Sequence, residues 1–127
     1  MAAREVVDRY LAEAFAGGGT AEAGERLIAS ETLRQRVASM RSAFPDLELE
    51  TLVLLAEGDL VACHGVGRGT HLGLYQGVPA TGRSWEARCT AVYRVEGERI
   101  ADAWVTWDTL ALLEQLGAVT RAGTVSA

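Results

Sequence analysis

Two side chains in this sequence stand where they can move a proton at neutral pH, His64 and Asp108. His64 lies mid-run in VACHGVGR, flanked by small residues that leave room above the ring for a ligand. Imidazole is the one side chain that ordinarily changes charge near neutrality, so in a dry pocket it can serve as a general base. The competing reading is a hydrogen-bonded core or interface histidine. Asp108 closes one strand-like run and opens a helical one, which makes it an N-cap with a second, proton-transferring duty open to it. Arg68, four residues beyond His64 on the same strand face and about 13 Å away at the strand rise of ~3.3 Å per residue, can hold an enolate or a carboxylate. A surface salt bridge accounts for Arg68 equally. Tyr10, Phe15, Phe44, Trp85, Tyr93 and Trp107 suit the walls of a pocket for a flat, partly aromatic molecule, and Tyr10 and Tyr93 also carry a hydroxyl. Core packing explains each of these aromatics singly. His71 ends a strand at the start of a loop, where its expected duty is to fix that loop by hydrogen bonds.

The bulk numbers set the frame. A chain of 127 residues, 49% hydrophobic and 23% charged, fits one globular domain spanning residues 1–127, with loose tails at 1–3 and 118–127. A net charge of -5 and basic residues gathered into no patch argue against nucleic acid as a partner. Cys63 and Cys89 fall inside strand-like runs without CxxC or companion histidine spacing, so they read as buried thiols in a reducing compartment and not as metal ligands. The N-terminus MAAREVVDRYLAEAF has no apolar signal region, and no stretch approaches the ~18 apolar residues of a membrane span, which together predict a cytoplasmic protein.

Helical spacing of Val6, Val7, Tyr10, Leu11, Ala14 and Phe15 predicts a helix over residues 4–16, stopped by a hinge at Gly17-Gly18-Gly19. A short helical piece, AEAGERLIA, leads to Ser30, the N-cap of a second long helix with Leu33, Val37, Met40 and Phe44 in a stripe. LELETLVLL then reads as a strand with Leu47, Leu49, Thr51, Val53 and Leu55 on one strongly apolar face. Glu57-Gly58 and Glu96-Gly97 are tight turns, so LVACHGVGRGTH, SWEARCTAVYRV and RIADAWVTW complete two antiparallel hairpins. The helix TLALLEQLG follows, with Gly117 at C′. Helices beside a four-stranded antiparallel sheet make an α+β domain whose curved sheet leaves a conical cavity at its open end.

Three fragments, AFPDLELE, GTHLGLYQGVPATGR and YRVEGERIADAWVTWDTLALLEQLG, resemble the SnoaL-like polyketide cyclase family across Arg41 to Gly117. The resemblance implies a cystatin-like, cone-shaped barrel shared with nuclear transport factor two and ketosteroid isomerase, a sheet wrapped around N-terminal helices, and a C-terminal helix. It further implies a homodimer through the sheet, a polyketide-like ligand, and neither metal nor organic cofactor. In the cyclases an aspartate on the last strand is the acid/base of an intramolecular aldol closure. Counted from Ile100 that position is Val105 here, and a histidine assisting it from the preceding strand falls near Ala91. The link between Ile28 and Phe44 is also shorter than in relatives.

Expected, then, is a cofactor-independent enzyme that cyclises, isomerises or dehydrates a polycyclic molecule. His64 would shuttle the proton with Asp108 or a tyrosine, and Arg68 and Val105 would line the site with the aromatics. The alternatives are a non-catalytic binding or accessory subunit and a hydroxylase-type relative that uses oxygen without a cofactor. Trp104 and Thr106, alternating away from the pocket face, suit the sheet-to-sheet dimer.

Overall fold

A computed structural model describes residues 2–15 and 21–120. The glycine hinge at 17–19 and the tail beyond Thr120 lie outside the described residues. Helix α1, Ala3–Phe15, buries Val6, Val7, Tyr10, Leu11, Ala14 and Phe15, the stripe its spacing predicts. α2 is the single turn Ala21–Glu25. α3, Glu31–Ala43, starts where Ser30 Oγ accepts the N–H of Leu33 at 3.2 Å, so one otherwise unpartnered donor of the first turn is satisfied.

Strands β1 (Glu48–Glu57), β2 (Leu60–Thr70), β3 (Ser84–Glu96) and β4 (Arg99–Trp107) form one antiparallel sheet in the order β1-β2-β3-β4. Both outer hairpins close on two-residue loops whose first residue, Gly58 or Gly97, takes a left-handed φ of 60° or 64°, which is the conformation tight hairpin turns demand and glycine supplies. Helix α4, Thr109–Gln115, begins at Asp108, whose Oδ1 accepts the Ala111 N–H at 3.1 Å, and ends at Gly117 with φ 76°.

The segment after α2 is stitched to the last strand. Ala29 N–H donates to Ile100 O at 2.8 Å and Ile100 N–H to Leu27 O at 2.7 Å. Arg34 and Arg99 both donate to Ile28 O. α1 therefore crosses the concave face of the sheet while α3 closes one side, an α+β, cystatin-like cone as the sequence predicts.

The expected apolar face of β1 is corrected by a bulge between Thr51 and Val53. One inserted residue reverses which side chains point inward. Leu49 packs against the core, but Val53 and Leu55 emerge on the convex face, 47% and 65% exposed.

Candidate functional site

Parity along β2 decides most of the site. Val61, Cys63, Gly65, Gly67 and Gly69 point into the cone, so the alternate residues His64, Val66 and Arg68 point out of it. Opposite them the concave face of β3 carries Trp85, Ala87, Cys89, Ala91, Tyr93 and Val95, all buried. A cavity of about 370 Å³ opens between this face and α3, walled by Tyr10 and Phe15 of α1, Leu33, Arg36, Val37 and Met40 of α3, Leu47 and Leu49, Tyr93, Val105, Trp107, and Tyr75, Gln76 and Thr109 at the loop side. A second recess of about 30 Å³ shares Leu49, Tyr93, Val105 and Trp107 with it and runs over Cys63, Gly65, Cys89 and Ala91. That recess lies where the small side chains of Cys89 and Ala91 leave space on the concave face of β3.

Of the residues singled out from sequence, Tyr10, Phe15, Tyr93, Val105 and Trp107 come together around the cavity. His64 does not. It sits on the convex face, Nδ1 3.0 Å from Thr90 Oγ1, with Arg88 Nη1 donating to Nε2 at 3.2 Å. A guanidinium can only donate, so Nε2 is the acceptor in this contact and Nδ1 is the nitrogen turned to Thr90. The room expected above His64 lies on the other side of the strand, where its glycine neighbours face inward. Arg68 is likewise outside, donating to Glu50 at 3.1 Å and Glu86 at 2.8 Å in exposed ion pairs. Asp108 is exposed and engaged as the α4 cap, away from the cavity lining. Phe44 and Trp85 are core, their ring centroids 4.7 Å apart; Phe44 also meets Tyr75 at 5.0 Å, and Trp85 meets Trp107 at 5.7 Å edge to face.

Sequence reasoning passed over the α3 wall and Tyr75. The helix stripe of Leu33, Val37 and Met40 is the available signal in the sequence, but period alone does not say that the stripe faces a cavity instead of closed packing. Tyr75 sits in the loop between β2 and β3, whose bend is pinned by fully buried His71: Thr81 donates its N–H to Nδ1 at 3.2 Å, and its hydroxyl lies 2.9 Å from the same nitrogen. The loop histidine has the structural duty expected of it.

Electrostatically the chamber is a phenol site. Burial pushes Tyr10 well above the usual phenol range, offset only in part by the nearby Arg41 guanidinium. Burial raises Tyr93 in the same sense, reinforced by Tyr10. Tyr75 is raised by burial against the opposing effect of hydrogen bonds to Thr109 and Gln76. All three are therefore neutral hydrogen-bond donors and not bases at physiological pH. The thiols beneath them follow suit, Cys89 pushed up to about 11 by burial and Cys63 raised. Among the described residues no carboxylate and no imidazole lines the main cavity. Ala91 and Val105 are direct partners in the β3–β4 register and both border the recess. An acid at 105 and a histidine at 91 would thus face each other across it.

The family model for SnoaL-like polyketide cyclases matches residues 2–116. No match was found among curated proteins. Among solved structures the chain is similar to AclR, a candidate hydroxylase from Streptomyces galilaeus, at 21% identity and TM-score 0.80 over 98% of this chain and 86% of that one. It is similar to IdmH, a candidate polyketide cyclase from Streptomyces antibioticus, at 28% identity and TM-score 0.70 over 91% and 98%. A candidate polyketide cyclase from Acidithiobacillus ferrooxidans matches at 26% identity and TM-score 0.76 over 93% and 96%.

Proposed function

Because the chain belongs to the SnoaL-like polyketide cyclase family, we propose that it binds a polycyclic, carbonyl-bearing molecule of polyketide type in the main cavity and holds it without abstracting a proton. The carrying observation is the Ala91–Val105 pair, apolar at both positions bordering the recess, beside a cavity of about 370 Å³ whose described lining offers phenols but neither carboxylate nor imidazole. Leu33, Val37, Met40, Trp107 and Phe15 supply apolar area for a flat ring system, and the cavity volume lies within the usual range for small-molecule sites. The hydroxyls of Tyr10, Tyr75 and Tyr93 donate to ligand oxygens, which fixes orientation and polarises a carbonyl.

A second reading rests on the closeness of two of those phenols. Tyr10 and Tyr93 have ring centroids 5.9 Å apart, a pairing suited to two phenols donating to one acceptor carbonyl as its oxygen gains charge in an aldol closure. An already enolised 1,3-diketone then closes by forming the C–C bond as the acceptor C=O π bond breaks. A phenol protonates the new alkoxide, and the enol O–H proton returns to that phenol, so no further base is consumed. In either reading the chain acts as a homodimer through the convex face of its sheet, where Val53, Leu55 and Trp104 are exposed.

The experiment titrates the protein with anthraquinone, follows tryptophan quenching, and incubates it with an aryl poly-β-ketone analysed by mass spectrometry. Micromolar binding with no turnover, unchanged in His64→Ala and weakened several-fold in Tyr10→Phe/Tyr93→Phe, supports the binding reading. Val105→Asp should then be the variant in which turnover first emerges. Wild-type turnover abolished by the tyrosine variant and indifferent to His64→Ala establishes the second reading. Turnover that depends on His64 refutes both.

A further inference from the structure

We infer that the ligand carries a carboxylate, held at the cavity mouth by Arg36. This rests on the pocket reading above and names the chemical class of what enters it. Arg36 is the one charged side chain among the described residues lining the main cavity, every other being apolar, phenolic, amide or hydroxyl. It is exposed, as is Gln76 on the loop side of the lining, so the two stand at the solvent edge of the chamber.

Two other arginines of the same half of the molecule are neutralised locally. Arg9 pairs with Glu13 at 2.9 Å and Arg34 with Glu31 at 3.0 Å, each one turn away on its own helix. Arg36 has Thr32, Leu33, Ser39 and Met40 at the positions where a helix would place a partner, and it makes no ion pair with any described residue. A second guanidinium backs the same wall. Arg41 lies 5.0 Å over the Phe15 ring, with Nε and Nη2 buried and lacking hydrogen-bond partners. Its charge therefore reaches the chamber unscreened by any hydrogen-bonded carboxylate on those atoms. In a chain of net charge -5 the described lining of this cavity holds one cation and no acid.

One accessible cation calls for one negative charge. A carboxylate presents two coplanar oxygens to the guanidinium fork, whereas a doubly charged phosphate monoester would leave half its charge uncompensated. Gln76 and Thr109, in the same lining, add a neutral amide and a hydroxyl beside that position. The preferred ligand is accordingly a flat ring system with a carbonyl directed inward to the phenols and a carboxylate left at the mouth beside Arg36.

The test compares anthraquinone-2-carboxylate with anthraquinone-2-carboxamide by tryptophan quenching and calorimetry at low salt, on wild type, Arg36→Gln and Arg36→Lys. The carboxylate should bind wild type about five- to ten-fold more tightly, as expected for a partly exposed charge-assisted pair. Arg36→Gln should bring the two probes within two-fold by weakening only the carboxylate, Arg36→Lys should retain part of the preference, and 0.5 M salt should erase it in wild type. Equal affinities in wild type, or a preference that survives Arg36→Gln, overturns the inference while leaving the pocket reading intact. Failure of both probes to bind overturns the two together.

Discussion

Gly67→Ala is expected to damage the site through Trp107, without touching any group that contacts ligand by chemistry. A Cβ built at Gly67 would overlap Trp107 at Cη2 and, at 2.5 Å, at Cζ3, and would stand 3.1 Å from Leu49 Cδ2. Such separations lie far inside van der Waals contact, and Trp107 cannot retreat deeper, since its other side meets Trp85 at 5.7 Å between centroids. The indole must tilt toward the cavity it lines, taking volume from both chambers. Overpacking of this kind costs about 1–3 kcal/mol. For a domain of this size that is a fall in Tm of roughly 4–12 °C, at about 4 °C per kcal/mol. Thermal unfolding and near-ultraviolet circular dichroism measure the stability and the indole reorientation, and anthraquinone titration measures the lost volume. Trp107→Leu removes the obstructing ring edge, so Gly67→Ala/Trp107→Leu should be more stable than the sum of the single losses by about 1 kcal/mol or more. A Gly67→Ala protein with wild-type Tm and spectrum, or strict additivity in the cycle, would refute the packing argument.

Alkali and assembly give two further expectations. Cys89 moves from an ordinary thiol value of 9.0 to about 11 on burial, and Cys63, Tyr10 and Tyr93 also rise, so above pH 9 the unfolded chain loses protons that the folded one keeps. Their contribution is whole below the unfolded values and drains away as pH climbs through the folded ones: urea midpoints should show no loss from these groups up to pH 9 and fall beyond it, with Cys89→Ala flattening the slope between 9 and 11. For the proposed dimer, Trp104→Glu combined with Val53→Glu should halve the mass seen by light scattering while preserving anthraquinone affinity, because both side chains lie on the convex face; a wild-type monomer would dispose of the dimer.

Element types and order were legible because apolar periodicity, Ser30 and Asp108 caps, and glycine turns are local signals that the structure honours. What failed was facing. His64 and Arg68 share a strand face in the sequence and in the structure, but which face meets the cone depends on β3 and α1, far along the chain. The β1 bulge is invisible for a related reason. Leu52 and its neighbours are apolar on both parities, so no polar residue marks the slip. Phe44 and Trp85 read from sequence as pocket walls but are buried in the core outside the lining of the cavity of about 370 Å³, because aromatic type cannot separate a cavity wall from a filled core. Arg36 carries no signal in the sequence, because an exposed helical arginine is ordinary unless a cavity lies beneath it.

The Ala91–Val105 pair bears on function more than either residue would alone. Val105 borders both chambers and is 46% exposed, so a carboxylate there would be partly solvated, but Ala91 is 3% exposed beneath it. A histidine at 91 opposite a valine would be a buried imidazole without its partner, costing on the order of 1–3 kcal/mol for the unsatisfied polar group. With valine at 105, alanine is the residue at 91 that leaves nothing unsatisfied, and the recess stays dry and apolar. Wall and floor are thus mutually consistent for holding a ligand, with the phenols, Arg36, Gln76 and Thr109 of the adjoining cavity as the polar handles. Installing the acid alone is correspondingly the smaller perturbation: Val105→Asp adds a half-exposed carboxylate within reach of the chamber, and it needs no histidine below it in order to fold.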